Sequence, residues 1–154
     1  MRITAYTDYS IRVLMYLAVR PDHHARIADI ALAYGISETH LMKVVHQLGL
    51  AGDITTVRGR NGGIQLARPA SEINLGTVVR RTEADLNLVP CFDAPEACPI
   101  APACVLQSVL HEALDAFLAV LDRYTLGDLT ARRQNLSTLF SIPGSVPNLI
   151  GQGP

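Results

Sequence analysis

Cys91, Cys98 and Cys104 are the only cysteines of the chain, and they fall within fourteen residues. An odd number of thiols in one short segment cannot pair off as disulfides, so the chemistry they offer is ligation of a soft metal centre. Their spacing, C-x6-C-x5-C, is wider than the roughly two to four residues between the ligand pairs of structural zinc sites. A loop draped around a larger inorganic core, an iron–sulfur cluster, suits it better. Three thiols buried or free without metal are the plainer alternative on cysteine usage alone.

A tetranuclear cluster takes four protein ligands, and this segment supplies three. Position 107 holds Gln107, a poor ligand. His111 would lie about 10 Å beyond Cys104 along a helix axis, too far to share one small metal. The fourth ligand must come from elsewhere in the fold, from a second subunit or from solvent. His23, His24, His40, His46 and His111 are scattered, and no nucleophile–base pairing stands out, so no enzymatic activity is expected.

The elements that must position these residues follow from periodicity. Thr7 is suited to cap a helix with Ile11, Leu14, Met15, Leu17 and Ala18 at helical spacing, stopped near Pro21. Residues 27–34 form a second, short helix ended by Gly35, and Ser37 opens a third with Leu41, Val44, Val45 and Leu48 inward, ended by Gly52. A short helix, a glycine turn and a capped helix outline a helix-turn-helix. Two β-prone runs, 54–57 and 64–67, flank the turn Arg58-Gly59-Arg60-Asn61-Gly62-Gly63 and read as a hairpin, hence a wing. Its glycines lie between strands with no following helix or Walker lysine, so a turn explains them better than a phosphate cradle. Residues 75–82 read as a fourth helix.

The cysteine loop, about residues 85–103, holds Pro90, Pro95, Pro99 and Pro102 and cannot be regular. A long helix is expected from Cys104 to about Arg123, placing the Cys104 thiolate at a positive helix end. Leu106, Leu110, Ala113, Leu114, Phe117 and Leu121 form a coiled-coil-like seam along it. A further helical turn or two falls between Leu126 and Phe140. The Pro/Gly-rich tail 141–154 is expected to be disordered.

Two surfaces are candidates for nucleic acid. Ser37, Glu38, Thr39, His40 and Lys43 place polar groups near a helix N-terminus, the arrangement that reads base edges in a major groove. Arg58, Arg60 and Asn61 sit at the wing tip, where the arginines reach phosphates or the minor groove. The net charge of −1 hides an asymmetry: residues 1–81 carry +4 and residues 82–154 carry −5, which orients the front half towards a polyanion. An apolar fraction of 49% is that of a globular chain. No apolar run approaches a membrane span, and Met1-Arg2 leads into amphipathic sequence rather than a leader, so a cytoplasmic location with reduced thiols is expected.

Five stretches together resemble the family of iron–sulfur winged-helix regulators that includes IscR- and RirA-type proteins. They are TDYSIRVLMYLA (7–18), YGISETHLMKVVHQL (34–48), TVRGRNGGIQLARPA (56–70), the three-cysteine loop and VLHEALDAFLAVLDRYTLGDL (109–129). The resemblance covers about residues 1–130, and joint occurrence is specific where the helix-turn-helix alone is not. In IscR-like members a histidine three residues after the last cysteine completes the site; Gln107 departs from that pattern. The nitric-oxide-sensing members instead have an aspartate at the start of the first helix, matched here by Asp8. By that resemblance Asp8 completes the site from the partner subunit. Helical spacing by itself places Arg12 four residues on, on the same face, as an ordinary ion-pair partner of Asp8 and a candidate switch partner.

The resemblance thus implies a mainly α fold with a small β-hairpin wing: a winged helix-turn-helix domain (1–82), a cluster-binding loop (83–103), a dimerisation helix with extension (104–140) and the tail (141–154). It implies a homodimeric repressor of double-stranded operator DNA, holding a 4Fe–4S cluster (2Fe–2S is the alternative) on Cys91, Cys98, Cys104 and Asp8, and released by nitric oxide. A RirA-type iron- or redox-responsive regulator is the alternative within the fold. An electron-transfer or cluster-carrier protein is the alternative of another class.

Overall fold

The computed structural model describes residues 2–20, 22–94, 96, 98–131 and 133–140; the expected disorder of the tail lies outside the described residues. The first helix, α1 (Ala5–Val19), is capped by Thr4, whose hydroxyl accepts from the Thr7 N–H at 3.2 Å. The cap expected at Thr7 is therefore one turn earlier. Thr7 is fully buried instead, and its hydroxyl donates to Thr82 Oγ1 at 2.8 Å. A buried hydroxyl needs a partner, and this one ties the start of α1 to the end of α4 (Leu75–Thr82).

Val13, Leu14, Tyr16 and Leu17 of α1 are fully buried and form the centre of the core. Around them pack α2 (Ile27–Tyr34) through Ile30, and α3 (Glu38–Leu50) through Leu41, Val44 and Leu48. The turn between α2 and α3 is made by Gly35 at φ +63°, the left-handed conformation that ends a helix without Cβ strain. The helix-turn-helix read from the sequence is present with those bounds.

The wing is also present, and it is wider than a hairpin. Strands β2 (Ile54–Val57) and β3 (Gly63–Leu66) pair antiparallel, Ile54 opposite Leu66. A two-residue strand, β1 (His24–Ala25), adds to the free edge of β3, giving the order β1-β3-β2. Two residues are too few for a period-2 signal, so this strand was not legible. It explains Gly63: a Cβ there would lie 2.5 Å from the Ala25 carbonyl oxygen.

Beyond a short turn at Ala70–Glu72, α4 is capped by Asn74, whose Oδ1 accepts from the Thr77 N–H. Among the described residues the cysteine segment has no α-helix or strand, and 3-10 turns form at Pro90–Phe92 and Ala101–Ala103. The long helix α5 runs Leu106–Asp122, then come α6 (Leu126–Leu129) and α7 (Arg133–Phe140). Cys104 is not in α5. Its N–H closes the Ala101 turn and its own ψ of 114° is extended, so the helix starts two residues later.

The seam on α5 also differs from expectation. Leu110, Leu114, Phe117 and Leu121 are half-buried, and the first three line a cavity of about 400 Å³ shared with Ile3, Leu86 and Leu88. They face their own chain. The outward stripe is Leu106, Val109, Ala113, Ala116 and Val120, all exposed, with Leu106 at 61% and Val109 at 52%. Its steps of three and four residues are those of a heptad seam. An amphipathic helix with two apolar stripes has both periods in its sequence, and only packing separates them.

Candidate nucleic-acid interface and cysteine segment

The polar face of α3 lies open. Ser37 is its N-cap residue, and Ser37, Glu38, Thr39, His40 and Lys43 are all exposed. Arg58, Arg60 and Asn61 are exposed at the wing tip, where Gly59 at φ +106° and the Gly62 N–H donating to the Gly59 carbonyl close the turn. Among the described residues no ion pair engages Lys43, Arg58 or Arg60, so these cations remain available for phosphate.

Residues that sequence reasoning missed fix this head. Asp53, just past α3, is 2% exposed. Its carboxylate accepts from Arg81 of α4 and pairs with Arg68 Nη2 at 3.0 Å. Arg68 also donates to the carbonyls of Gly52 and Ala51 at the end of α3, where helix carbonyls lack intrahelical partners. One buried carboxylate thus joins α3, the wing and α4. The only signal in the sequence was an acid directly before a strand, which ordinarily reads as a loop residue.

The neighbouring Arg80 points the other way. It forms a two-pronged contact with Asp122 at the end of α5, 2.5 and 2.7 Å long. The hydrogen bond from Arg80 holds the Asp122 carboxyl below its ordinary range. Adjacent arginines on α4 therefore hold the end of α3 on one side and the long helix on the other.

All three cysteines are free thiols and half-buried. Cys91 lies in the first 3-10 turn; Cys98 and Cys104 bracket the second, each linked to it through backbone. Cys104 opens onto a groove of about 620 Å³ lined by Gln107, Ser108, His111, Glu112 and Asp115. Among the described residues no three His, Cys, Asp or Glu side chains gather around a single metal ion. Three thiols strung along one segment are the donor type that an iron–sulfur cluster takes.

Asp8 is half-exposed on the first turn of α1, and its carboxylate contacts Arg12 Nε at 2.8 Å. Arg12 also lies over the ring of Tyr34, the last residue of α2, at 5.4 Å. Burial pushes the Tyr34 hydroxyl well above its ordinary pKa, so that ring is a neutral cation-binding face. The two candidates Asp8 and Arg12 are therefore brought together, and joined to the helix-turn-helix.

A helix-turn-helix with an open polar face, followed by a hairpin wing whose outer edge pairs with β1, defines a winged-helix transcriptional regulator. Residues 3–132 match the Rrf2 family, described as an iron-dependent transcriptional regulator. The chain is 51% identical over 144 residues to the HTH-type transcriptional regulator NsrR of Bacillus subtilis (strain 168), covering 92% of this chain and 99% of that one. It is 52% identical over 141 residues to the NsrR of Geobacillus kaustophilus (strain HTA426), covering 90% and 96%. The solved structure of T. potens IscR superposes with a TM-score of 0.71 at 23% identity, covering 99% of this chain and 94% of that one; this likeness shows the fold. The chain belongs to the Rrf2 family and is a transcriptional regulator of NsrR type, not an enzyme. Among the described residues no helix is long and apolar enough to cross a membrane.

Proposed function

We propose that the chain is a cytoplasmic homodimeric repressor that binds palindromic operator DNA and lets go on reaction with nitric oxide. Its cofactor is an iron–sulfur cluster, of 4Fe–4S type, on Cys91, Cys98 and Cys104 with Asp8 of the partner subunit. The observation that carries the reading is the coexistence of three free thiols on one segment with an exposed heptad-spaced apolar stripe on the helix that follows it. The stripe supplies the two-fold partner that a palindrome requires. Residues 1–82 then serve as the reading head, 83–103 as the cluster loop and 104–140 as the dimer-forming part.

When bound, the cluster supplies an iron whose carboxylate ligand is harder and more readily displaced than a thiolate. The rest belongs to the protein. Asp8 has two partners to choose between, the site across the dimer and its own Arg12. When Asp8 turns to Arg12, the guanidinium that also covers Tyr34 changes its surroundings, and the helix-turn-helix feels it through α2. The two heads need only shift their relative spacing. A hundredfold loss of operator affinity corresponds to about 2.7 kcal/mol, within the ordinary range of allosteric coupling.

The test is anaerobic purification with iron and sulfide counting, then titration of the same sample, bound to DNA from its own upstream region, with nitric oxide. The expected result is a coloured dimer that releases DNA in step with nitric oxide added. A colourless preparation lacking iron and acid-labile sulfide overturns the sensing account. A second reading, response to iron supply, draws on the description of the family as iron-dependent; release by a chelator but not by nitric oxide would select it. An electron carrier has no use for exposed Lys43, Arg58 and Arg60, and would show no salt-dependent DNA binding.

A further inference from the structure

The segment from Val89 to Cys104 has, among the described residues, little to hold the Cys91 turn to the Cys98–Cys104 turn. Among the described residues, each of its own backbone hydrogen bonds closes a local turn: Phe92 to Val89, Asp93 and Ala94 to Pro90, Ala101 to Cys98, Ala103 to Ile100 and Cys104 to Ala101. Nothing in that set joins the Cys91 turn to the Cys98–Cys104 turn. Thiols on two independent turns would not hold a common geometry, because each free rotation must be frozen on ligation.

The joining contacts come from α5. Gln107 Nε2 donates to the Cys91 carbonyl oxygen at 2.8 Å, across sixteen residues of sequence, in a part-buried position. One turn further along, the His111 ring stacks on the Phe92 ring with centroids 3.7 Å apart and planes 18° from parallel. Positions 107 and 111 share one helix face, and His111 Nδ1 lies 2.9 Å from the Gln107 carbonyl oxygen. Consecutive residues of the loop are thus docked on consecutive turns of the helix.

We infer that Gln107 is a positioning residue: its amide, with the Phe92–His111 stack as second contact, clamps the Cys91 corner to α5 and so fixes it relative to Cys104. The side chain that makes position 107 a poor ligand gives it this task. A neutral amide donates to a carbonyl without placing a charge beside the thiols. The inference deepens the proposed function, since it rests on the cysteine segment being a cluster site, but its geometry stands without metal.

The test uses the full chain freed of metal by chelation, with each thiol alkylated by N-ethylmaleimide and followed by peptide mass spectrometry. Gln107→Met keeps the length and apolar stem and removes the donor. It is expected to speed Cys91 alkylation about five- to tenfold, the loss of one net hydrogen bond, with Cys104 changed less than about twofold on the same scale. Phe92→Ala is expected to act in the same direction. Equal Cys91 rates in wild type and Gln107→Met overturn the clamp. So does a parallel rise at Cys91 and Cys104, which reports fraying of α5 instead. Iron counting on the wild type tests the cluster separately: no iron with the alkylation difference intact sinks the function and leaves the clamp.

Discussion

The Asp8 carboxylate and the Arg12 guanidinium meet at 2.8 Å, one turn apart on α1, with both side chains about 40% exposed (38% and 40%). An exposed i,i+4 pair contributes only about 0.3–0.5 kcal/mol, so its importance cannot lie in stability. Arg12→Ala is expected to move the thermal midpoint by less than about 2 °C, while Asp8→Ala alters the visible absorption of the anaerobic protein. A drop of about 5 °C or more in Arg12→Ala, or an Asp8→Ala spectrum identical to wild type, would assign the pair a purely structural role.

Asp53 carries the opposite balance. Its side chain is 3% exposed and is held by Arg81 and Arg68, whose own side chains are about one-third exposed (34% and 38%). Removing a buried carboxylate leaves the cations uncompensated, and their partial exposure softens the cost to about 2–3 kcal/mol. Asp53→Ala should therefore lower stability by that amount in urea titration and weaken DNA binding, though Asp53 lies beyond the reading face. A loss below about 0.5 kcal/mol would show that α3, the wing and α4 are joined by apolar packing alone.

The α4–α5 junction should be acid-sensitive. The Arg80 hydrogen bond holds the Asp122 carboxyl below its usual 3.8, and hydrogen bonds from the Thr125 backbone N–H, then its side chain, do the same for Asp128. A depressed folded pKa means the unfolded chain binds more protons in acid. The contribution is present above pH 3.8 and is lost as pH falls through the lower folded value. Asp122→Asn should flatten the acid limb of the stability profile below about pH 4; an unchanged limb would dismiss the junction as its source. Gly76→Ala should mimic it, because a Cβ there falls 1.9 Å from Asp122 Oδ1 and displaces that carboxylate from Arg80.

The outward stripe of α5 is the expected dimer contact. Val109 and Val120 are 52% and 43% exposed, and burying a glutamate in a paired seam carries a desolvation penalty that apolar contact does not recover. Val109→Glu with Val120→Glu should sediment as a monomer with an unchanged helical circular dichroism spectrum. Leu114→Glu, on the inward stripe, should unfold α5 instead. A dimeric double variant would remove α5 from the interface.

At the wing tip, each arginine that neutralises a phosphate contributes about −0.9 to the slope of log K against log salt. Arg58→Ala and Arg60→Ala should each make that slope shallower by about one unit and weaken specific and non-specific DNA alike. Unchanged slopes in both would leave the wing without a DNA contact.

Residue pattern alone was enough for α2, α3, their glycine turn and the β2–β3 hairpin, because helix caps, glycines of positive φ and apolar period act over fewer than a dozen residues. It also singled out the three cysteines and the polar faces of α3 and the wing tip, whereas Asp8 entered only through the family resemblance. Tertiary packing decided the rest. Leu106 and Leu110 look alike in sequence, yet one faces solvent and the other its own chain, since α5 carries two apolar stripes and the docking of α4 selects between them. Asp53 reads as a loop acid until Arg68 and Arg81, fifteen and twenty-eight residues on, close over it. Gln107 reads as a missing ligand until the Cys91 carbonyl reaches it. Local spacing encodes what neighbouring residues do to the backbone; which side chains end as partners depends on which elements pack, and that is a property of the whole fold.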